Sequence, residues 1–228
     1  MWIEALWIIG AYLYGALPVV YLIGRLRGVD LSQEEDMHIS LWRNVGRLEG
    51  FLGITWDVVK GGVAVVIVDR VLNLEVGLVA GIGLAVVVGE MWSVFLNFRG
   101  EKANTTGLGM AMALAYQAIA FLLVPIVLGA AIRTVPRLLK KGQTNDERLK
   151  LGGPPSLSLP LGMLCGFALF PVGCWIMDLP WEVTGAGIVL FALIVLKRLI
   201  TDLKEDIQAG RNLSSVLLYR FLFDRSSI

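Results

Sequence analysis

Long apolar segments separated by short polar loops dominate this 228-residue chain. Most of the apolar segments approach the roughly 20 residues that a helix needs to cross a bilayer. The alternation typical of membrane β-barrels does not occur. The pattern therefore predicts an all-α, polytopic membrane protein. The predicted apolar segments are Ile3–Gly24 with a kink at Pro18, Phe51–Leu72, a segment from Glu75 to near Phe98, Leu108–Ile132, Leu157–Met177 and Trp181–Leu196.

The segment Leu108–Ile132 permits either one long helix or two short helices that turn near Tyr116–Gln117. The basic residues favour two helices, because 18 of the 20 Lys and Arg then lie in loops and a tail on one side. Such loops stay in the cytoplasm. We therefore predict a bundle of seven transmembrane helices, two of them short, with the N-terminus outside and the C-terminus cytoplasmic. Residues 1–228 form one membrane domain, in which 203–228 are a cytoplasmic or interfacial tail.

Composition supports the membrane assignment. The chain is 56% hydrophobic and 17% charged, with a mean hydropathy of +0.72, which is too apolar for a soluble domain. Cys165 and Cys174 lie nine residues apart and so on opposite faces of one predicted helix, which excludes a disulfide within that helix. The sequence contains no metal or redox motif. In the tail, Leu213–Phe223 is apolar but too short to span, and it lies on the membrane surface or packs on cytoplasmic loops.

One polar stretch, Gly89–Gly109, has the composition of an anion-binding loop. Cations, a glycine and two hydroxyl residues precede the start of a predicted helix, whose free N–H groups and dipole favour an anion. These candidate phosphate-binding residues are Arg99, Gly100, Lys102, Thr105 and Thr106. The alternative is a basic turn beside the membrane with an ordinary helix cap.

Ionisable residues inside predicted spans form a second group of candidates. Asp57 and Lys60 are three residues apart, so they share a helix face and can pair. Glu90 lies near the end of the third span. Charged groups in spans are costly and usually face a bundle interior or a wet cavity, so these residues support a cavity, or they form a structural ion pair.

Two loop residues are also candidates. A guanidinium at Arg43 can clamp a phosphate bidentately, or it is one more positive-inside charge. His38, the only histidine, is either a solvated loop residue or an acid–base group.

Several stretches together resemble the bacterial membrane acyl-phosphate:glycerol-3-phosphate acyltransferases, the PlsY family. YLYGALPVVYLIGRLRGVDL resembles its opening helix, and WDVVKGG (Trp56–Gly62) resembles its Asp-x-x-Lys-Gly segment. GEMWSVFLNFRGEKANTTGLG resembles the family motif Gly-His-x-x-Pro-x-Phe-x-x-Phe-Lys-Gly-Gly-Lys-Gly-x-Ala-Thr. SLSLPLG (Ser156–Gly162) resembles a segment that opens a later helix, which adds Ser158 to the candidate phosphate-binding residues.

The resemblance implies transfer of an acyl group from acyl phosphate to glycerol-3-phosphate, giving lysophosphatidic acid for phospholipid synthesis in the bacterial inner membrane. It implies that Arg43 and Lys102 are catalytic phosphate-binding residues. Asp202 is one of the nearest counterparts of the residues in the family's third motif. The active-site loops would face the cytoplasm. Membrane lipid is an implied partner, whereas no cofactor, metal or nucleic acid is implied.

Several positions depart from the family motifs, and they favour a second interpretation. SQEEDMHIS (Ser32–Ser40) replaces the small residues of the first motif, Glu90 stands in place of the motif histidine, and Glu101 stands in place of a glycine. The alternative is therefore a catalytically degenerate homologue that binds a lipid or an anion. A solute transporter is a third possibility, suggested by Asp57, Lys60 and Glu90, but no inverted repeats are evident.

Overall fold

The computed structural model describes residues 2–32, 34, 37–139, 142 and 157–226. The described part of the chain is helical. In chain order the helices are α1 (Trp2–Gly15), α2 (Val19–Leu26), α3 (Met37–Asn44), α4 (Arg47–Val66), α5 (Val76–Met91), α6 (Asn104–Leu114), α7 (Ile119–Leu139), α8 (Ser158–Ile176), α9 (Trp181–Ile200), α10 (Leu203–Gln208) and α11 (Leu213–Phe223).

Among the described residues, six helical segments are long and apolar enough to cross a membrane. They are Trp2–Leu26, Arg47–Val71, Val76–Leu96, Tyr116–Leu139, Ser158–Ile176 and Trp181–Gln208. Large apolar side chains on these segments, including Val127 and Trp175, point away from the protein interior. Outward-facing apolar side chains on long helices fit a bundle surrounded by lipid.

Both predicted interruptions of the helices are present. The first predicted span divides into α1 and α2 around Pro18, which has no backbone N–H group to donate to the helix. The long apolar segment also divides: α6 ends at Leu114, and a short 3₁₀ turn, Tyr116–Ala118, leads into α7. With 11 residues, α6 is not among the six candidate spans. The third span continues beyond α5 through a short 3₁₀ turn to Leu96, close to its predicted end near Phe98.

Glycines allow the helices beneath the site to pack closely. A Cβ built on Gly61 of α4 would lie 2.1 Å from the Thr106 carbonyl oxygen of α6, and one on Gly109 would lie 1.9 Å from the Val58 carbonyl oxygen. Any larger residue would therefore push α4 and α6 apart. This close approach holds Thr106 against the face of α4 that carries Asp57.

The C-terminal helix α11 spans Leu213–Phe223, the segment predicted to be interfacial or packed, and it packs against α8 and α9. The Asn212 side chain caps its N-terminus by accepting from the Ser214 and Ser215 N–H groups at 3.0 and 3.3 Å. On its inner face, Arg220 is buried and its Nε donates to Asp206 Oδ2 at 3.0 Å. These contacts fix the position of Asp224, which follows the helix.

Some predicted features lie outside the described residues. They are the acidic residues Glu35 and Asp36, and the basic loop residues Lys140, Lys141, Arg148 and Lys150.

Candidate active site

Three charged side chains meet inside the bundle between α4 and α5. Lys60 Nζ lies 3.0 Å from Asp57 Oδ1, one helical turn away, and 3.1 Å from Glu90 Oε2. Asp57 and Lys60 are 2% exposed and Glu90 is 7% exposed. Thr106 of α6 closes the group, since its hydroxyl hydrogen-bonds the Glu90 carboxylate and lies 3.0 Å from the Asp57 carbonyl oxygen. The buried charges are thus paired, as burial in a low dielectric requires.

His38 adds a fourth ionisable group to this region. The Nε2 atom lies 2.9 Å from Asp57 Oδ2 and 2.8 Å from Glu101 Oε2. The other Glu101 oxygen accepts from the Met37 N–H at 2.9 Å, which holds the start of α3 beside the bundle. Burial lowers the pKa of His38, but the Glu101 and Asp57 carboxylates outweigh this and raise it to about 11.

We call these residues, His38, Asp57, Lys60, Glu90 and Glu101, the carboxylate cluster. A small open cleft with a cavity volume of about 20 Å³ borders it, and its wall includes four of the five residues together with Gly100. A Cβ built on Gly100 would lie 1.8 Å from the Glu90 carbonyl oxygen, so only glycine fits there. The chain after α5 can therefore fold back tightly and deliver Glu101 to His38.

A second group of charges lies where α6, α9 and the end of α11 meet. Lys102 Nζ is 3.0 Å from Asp224 Oδ1 and also donates to the Asp224 carbonyl oxygen at 3.4 Å. Arg198 Nε lies 3.9 Å from the same carboxylate oxygen, and its Nη1 donates to the Pro160 carbonyl oxygen at 3.3 Å. Arg198 is 1% exposed, and its Nη2 has no hydrogen-bond partner among the described residues.

Lys197 and Asp202 complete this second group. Lys197 Nζ donates to the Met91 carbonyl oxygen at 2.6 Å and lies 5.3 Å from the centre of a Trp92 ring. Lys102 and Asp202 both lie close enough to interact with the Lys197 charge. We call Lys102, Lys197, Arg198, Asp202 and Asp224 the cation cluster. Its three cations face two carboxylates, so it is suited to an anionic ligand.

Adjacent residues belong to the two clusters. Glu101 reaches His38, whereas Lys102 reaches Asp224. The change of direction coincides with Ala103, which adopts the left-handed conformation with φ of 51° just before α6. This conformation is uncommon for a non-glycine residue. One short turn therefore separates an acid-rich site from a cation-rich site.

Sequence comparison identifies the family of the chain. The sequence model described as "Glycerol-3-phosphate acyltransferase" matches residues 5–209. This match covers most of the chain. The chain belongs to the glycerol-3-phosphate acyltransferase family.

Individual relatives agree with this assignment. The chain is 39% identical over 129 residues to the glycerol-3-phosphate acyltransferase of Trichlorobacter lovleyi. This alignment covers 55% of this chain and 66% of the relative. It is 34% identical over 112 residues to the glycerol-3-phosphate acyltransferase of Desulforamulus reducens, and this alignment covers 47% of this chain and 56% of the relative. The chain thus spans less than two thirds of the length of these curated relatives.

Solved structures share the fold over a longer stretch. Two crystal structures of PlsY (YgiH), an integral membrane glycerol 3-phosphate acyltransferase, align over 92% of this chain. The lysophosphatidic acid form has a TM-score of 0.67 and the glycerol 3-phosphate form one of 0.68, both at 22% identity. The alignments cover 93% and 94% of those chains. The membrane fold of the family is therefore present almost throughout.

Within this family fold, the predicted site residues are distributed over separate places. The predicted cavity residues Asp57, Lys60 and Glu90 lie together in the carboxylate cluster. Lys102 and Asp202 lie in the cation cluster.

The remaining predicted residues lie around these clusters. Arg43 is exposed on α3, and its charge and that of Arg225 both act on Arg133. Arg99 is exposed and Thr105 is half-buried. Ser158 Oγ donates to the Gly129 carbonyl oxygen at 2.9 Å, at the interface of α7 and α8.

Sequence reasoning did not assign the partners that define the two clusters. From the sequence, Glu101 is only a departure from a glycine, and Lys197 and Arg198 are only two of the many basic residues on the predicted cytoplasmic side. Nothing in the sequence marks Asp224. For Arg198 the sequence offers no distinguishing signal, because cations directly after a predicted span are ordinary at a cytoplasmic membrane boundary.

Proposed function

We propose that the protein transfers an acyl group from acyl phosphate to glycerol-3-phosphate and forms lysophosphatidic acid. A hydroxyl oxygen of glycerol-3-phosphate attacks the acyl carbonyl carbon, and a new ester C–O bond forms. The C–O bond to phosphate breaks, its electron pair leaves with inorganic phosphate, and the phosphate accepts the hydroxyl proton. The protein's role is to position two phosphate-bearing substrates and to offset charge that develops on the carbonyl oxygen.

The observation that carries this proposal is the cation cluster. Buried Arg198 and partly buried Lys102 converge on one carboxylate, that of Asp224, at 3.9 and 3.0 Å. A carboxylate and a phosphate are recognised by the same cationic donors. We infer that a substrate phosphate takes the place of the Asp224 carboxylate, with Lys102 and Arg198 as its ligands.

The predicted site residues have the following roles in this proposal. Arg43 and Lys102 are proposed catalytic phosphate ligands, and Asp202 borders the reacting groups beside Lys197. The carboxylate cluster shapes the cavity through Asp57, Lys60 and Glu90. The segment that includes Gly100 and Thr105 offers backbone N–H groups at the start of α6. Substrate contacts around this segment are proposed for Arg99, Gly100, Thr105, Thr106 and Ser158.

We further propose a topology for this activity. Counting α6 as a short membrane helix gives seven helices in one domain over residues 1–228, with the N-terminus outside and the C-terminal tail in the cytoplasm. The clustering of basic residues in four segments supports this orientation in a bacterial inner membrane. Acyl phosphate would then keep its chain among the lipids. Labelling that reached position 140 from outside the cell would contradict this topology.

The experiment compares purified protein in lipid nanodiscs with two variants. Acyl phosphate and glycerol-3-phosphate are supplied, and lysophosphatidic acid is measured by mass spectrometry. We expect product from the parent protein, loss of product with Lys102→Ala, and unchanged product with the control Arg70→Ala, whose side chain is 70% exposed and pairs only with Asp69 among the described residues. Absence of product from the folded parent protein would overturn the proposal.

A specific observation favours a second function. Lys102 already has an internal carboxylate partner in Asp224, and three carboxylates line the neighbouring cleft. A protein of this fold that binds an anion or a lipid without catalysis is therefore the alternative. It predicts saturable binding of glycerol-3-phosphate without any product.

A further inference from the structure

We propose that His38, Asp57, Glu90 and Glu101 bind a divalent transition-metal ion, in a site separate from the cation cluster. This site does not depend on the proposed acyl transfer, because it uses none of the residues assigned there to phosphate. It is carried by the positions of the ligand atoms, by an unpartnered buried oxygen and by the charges of the cluster.

The four side chains are close enough to share one ion. Each offers one ligand atom, and these atoms all lie within 4.8 Å of one another. Around an ion with four tetrahedral ligands at about 2.1 Å, the ligand atoms lie about 3.4 Å apart. Side-chain rotations that move the ligand atoms by about an ångström therefore close the site.

In each of the three carboxylates, one oxygen is held by a neighbouring group. Lys60 holds Asp57 Oδ1 and Glu90 Oε2, and the Met37 N–H holds a Glu101 oxygen. The other oxygens of Asp57 and Glu101 lie against His38 Nε2. Groups that orient metal ligands from behind are a regular feature of metal sites.

The remaining oxygen, Glu90 Oε1, has no hydrogen-bond partner among the described residues. Glu90 is only 7% exposed, so water cannot satisfy this oxygen freely. An unpaired buried carboxylate oxygen is energetically costly. A metal ion beside it removes that cost.

The charges of the cluster also require a counterion. Three carboxylates face Lys60 and His38, so the cluster has one negative charge in excess with His38 protonated and two once the imidazole has given up its proton to act as a ligand. A dication balances them. The donor set, one imidazole and three carboxylates, suits Mn²⁺, Fe²⁺ or Zn²⁺ better than the all-oxygen preference of Mg²⁺ or Ca²⁺. The open cleft beside Glu90 and Glu101 provides a route for entry.

The experiment measures metal binding to the full chain in detergent after removal of metals with EDTA. Titration calorimetry and elemental analysis are carried out with Mn²⁺, Zn²⁺ and Mg²⁺. We expect one equivalent of Mn²⁺ or Zn²⁺ and at least tenfold weaker Mg²⁺ binding. Glu101→Gln and His38→Gln should each weaken Mn²⁺ or Zn²⁺ binding at least tenfold. The matched control Glu205→Gln changes an exposed glutamate on α10 and should leave binding unchanged.

A measurement on the parent protein alone keeps the test independent of how the variants fold. With Mn²⁺ bound, pulsed electron paramagnetic resonance should detect one imidazole nitrogen, because the chain has a single histidine. Absence of stoichiometric Mn²⁺ and Zn²⁺ binding, or bound Mn²⁺ without a nitrogen coupling, would overturn the metal site. Neither result depends on acyl transfer, so failure of this inference and failure of the proposed function are distinguishable.

Discussion

The carboxylate cluster and the cation cluster meet at the peptide bond between Glu101 and Lys102, yet they are built differently. In the first, the Lys60 ammonium contacts two carboxylates and a main-chain carbonyl, all from the helices that form the bundle. In the second, Lys102 is paired with Asp224, which lies just beyond a C-terminal helix. The first is thus part of the interior, whereas the second depends on a residue just beyond α11. We propose that an anionic ligand takes the place of that residue, so that a site with a replaceable anion would lie beside a charged interior.

The largest expected effect is on the free energy of unfolding, and it tests whether the ion pairs of the carboxylate cluster stabilise the fold. Replacing Lys60 by alanine leaves Asp57 and Glu90 buried without their shared cation. Breaking a buried ion pair in this way costs about 3–5 kcal/mol. We expect this loss in the free energy of unfolding, measured by titration with SDS. The control Arg70→Ala should change it by less than about 0.5 kcal/mol, and an equally small effect of Lys60→Ala would show that the pairs contribute little.

The second prediction concerns the cation cluster and activity. Lys102→Ala should lower the rate of acyl transfer by about 10²–10³-fold, as loss of a positioned charge at a reacting group does. Because the Lys102 side chain is 18% exposed and contacts Asp224 near the protein surface, stability should change by only about 1 kcal/mol or less. The two variants should therefore differ in which property they lose: Lys60→Ala mainly loses stability, and Lys102→Ala mainly loses activity. A variant Lys102→Ala with full activity would remove this lysine from the proposed mechanism.

The separation of the two clusters could not be read from the sequence. Local features were predictable: the kink at Pro18, the turn at Tyr116–Gln117, the helix Leu213–Phe223 and the pairing of Asp57 with Lys60 follow from residue type and helical spacing. These features depend on residues a few positions apart.

The partners of the clusters depend on the packing of distant segments. Lys102 and Asp224 are 122 residues apart, and His38 meets Glu101 only because Gly100 permits a tight turn against the Glu90 carbonyl. No periodicity encodes such contacts. The sequence alone therefore leaves the single histidine open between a solvated and a functional role, whereas the fold places it beside Asp57 and Glu101.

The third prediction is a pH dependence of the carboxylate cluster in metal-free protein. The pKa of His38 rises from an ordinary 6.5 to about 11, so the folded state binds the proton more tightly than the unfolded state. The resulting stability is full below pH 6.5 and is lost as the pH rises through about 11. The slope is at most about 1.4 kcal/mol per pH unit, so the change between pH 7 and 9 is about 2.5 kcal/mol.

Unfolding of the parent and of His38→Gln at pH 7, 8 and 9 measures this dependence. The difference in stability between the two proteins should shrink as the pH rises. Titrating groups that do not interact with His38 contribute equally in both proteins, so their contributions cancel in the difference. A constant difference would show that His38 does not carry an extra proton in the fold.

The smallest expected effect comes from Asp224, and it tests directly whether the anion of the cation cluster is replaceable. Asp224→Asn removes the negative charge that faces Lys102. The apparent affinity for inorganic phosphate or glycerol-3-phosphate should therefore rise about two- to fivefold, because a partly exposed ion pair contributes up to about 1 kcal/mol. Asp178→Asn is a matched control, because both aspartates follow a helix at positive φ, 58° and 51°, which asparagine tolerates equally well. Weaker anion binding by Asp224→Asn, with Asp178→Asn unchanged, would mean that the carboxylate positions Lys102 and Arg198 for the ligand instead of standing in its place.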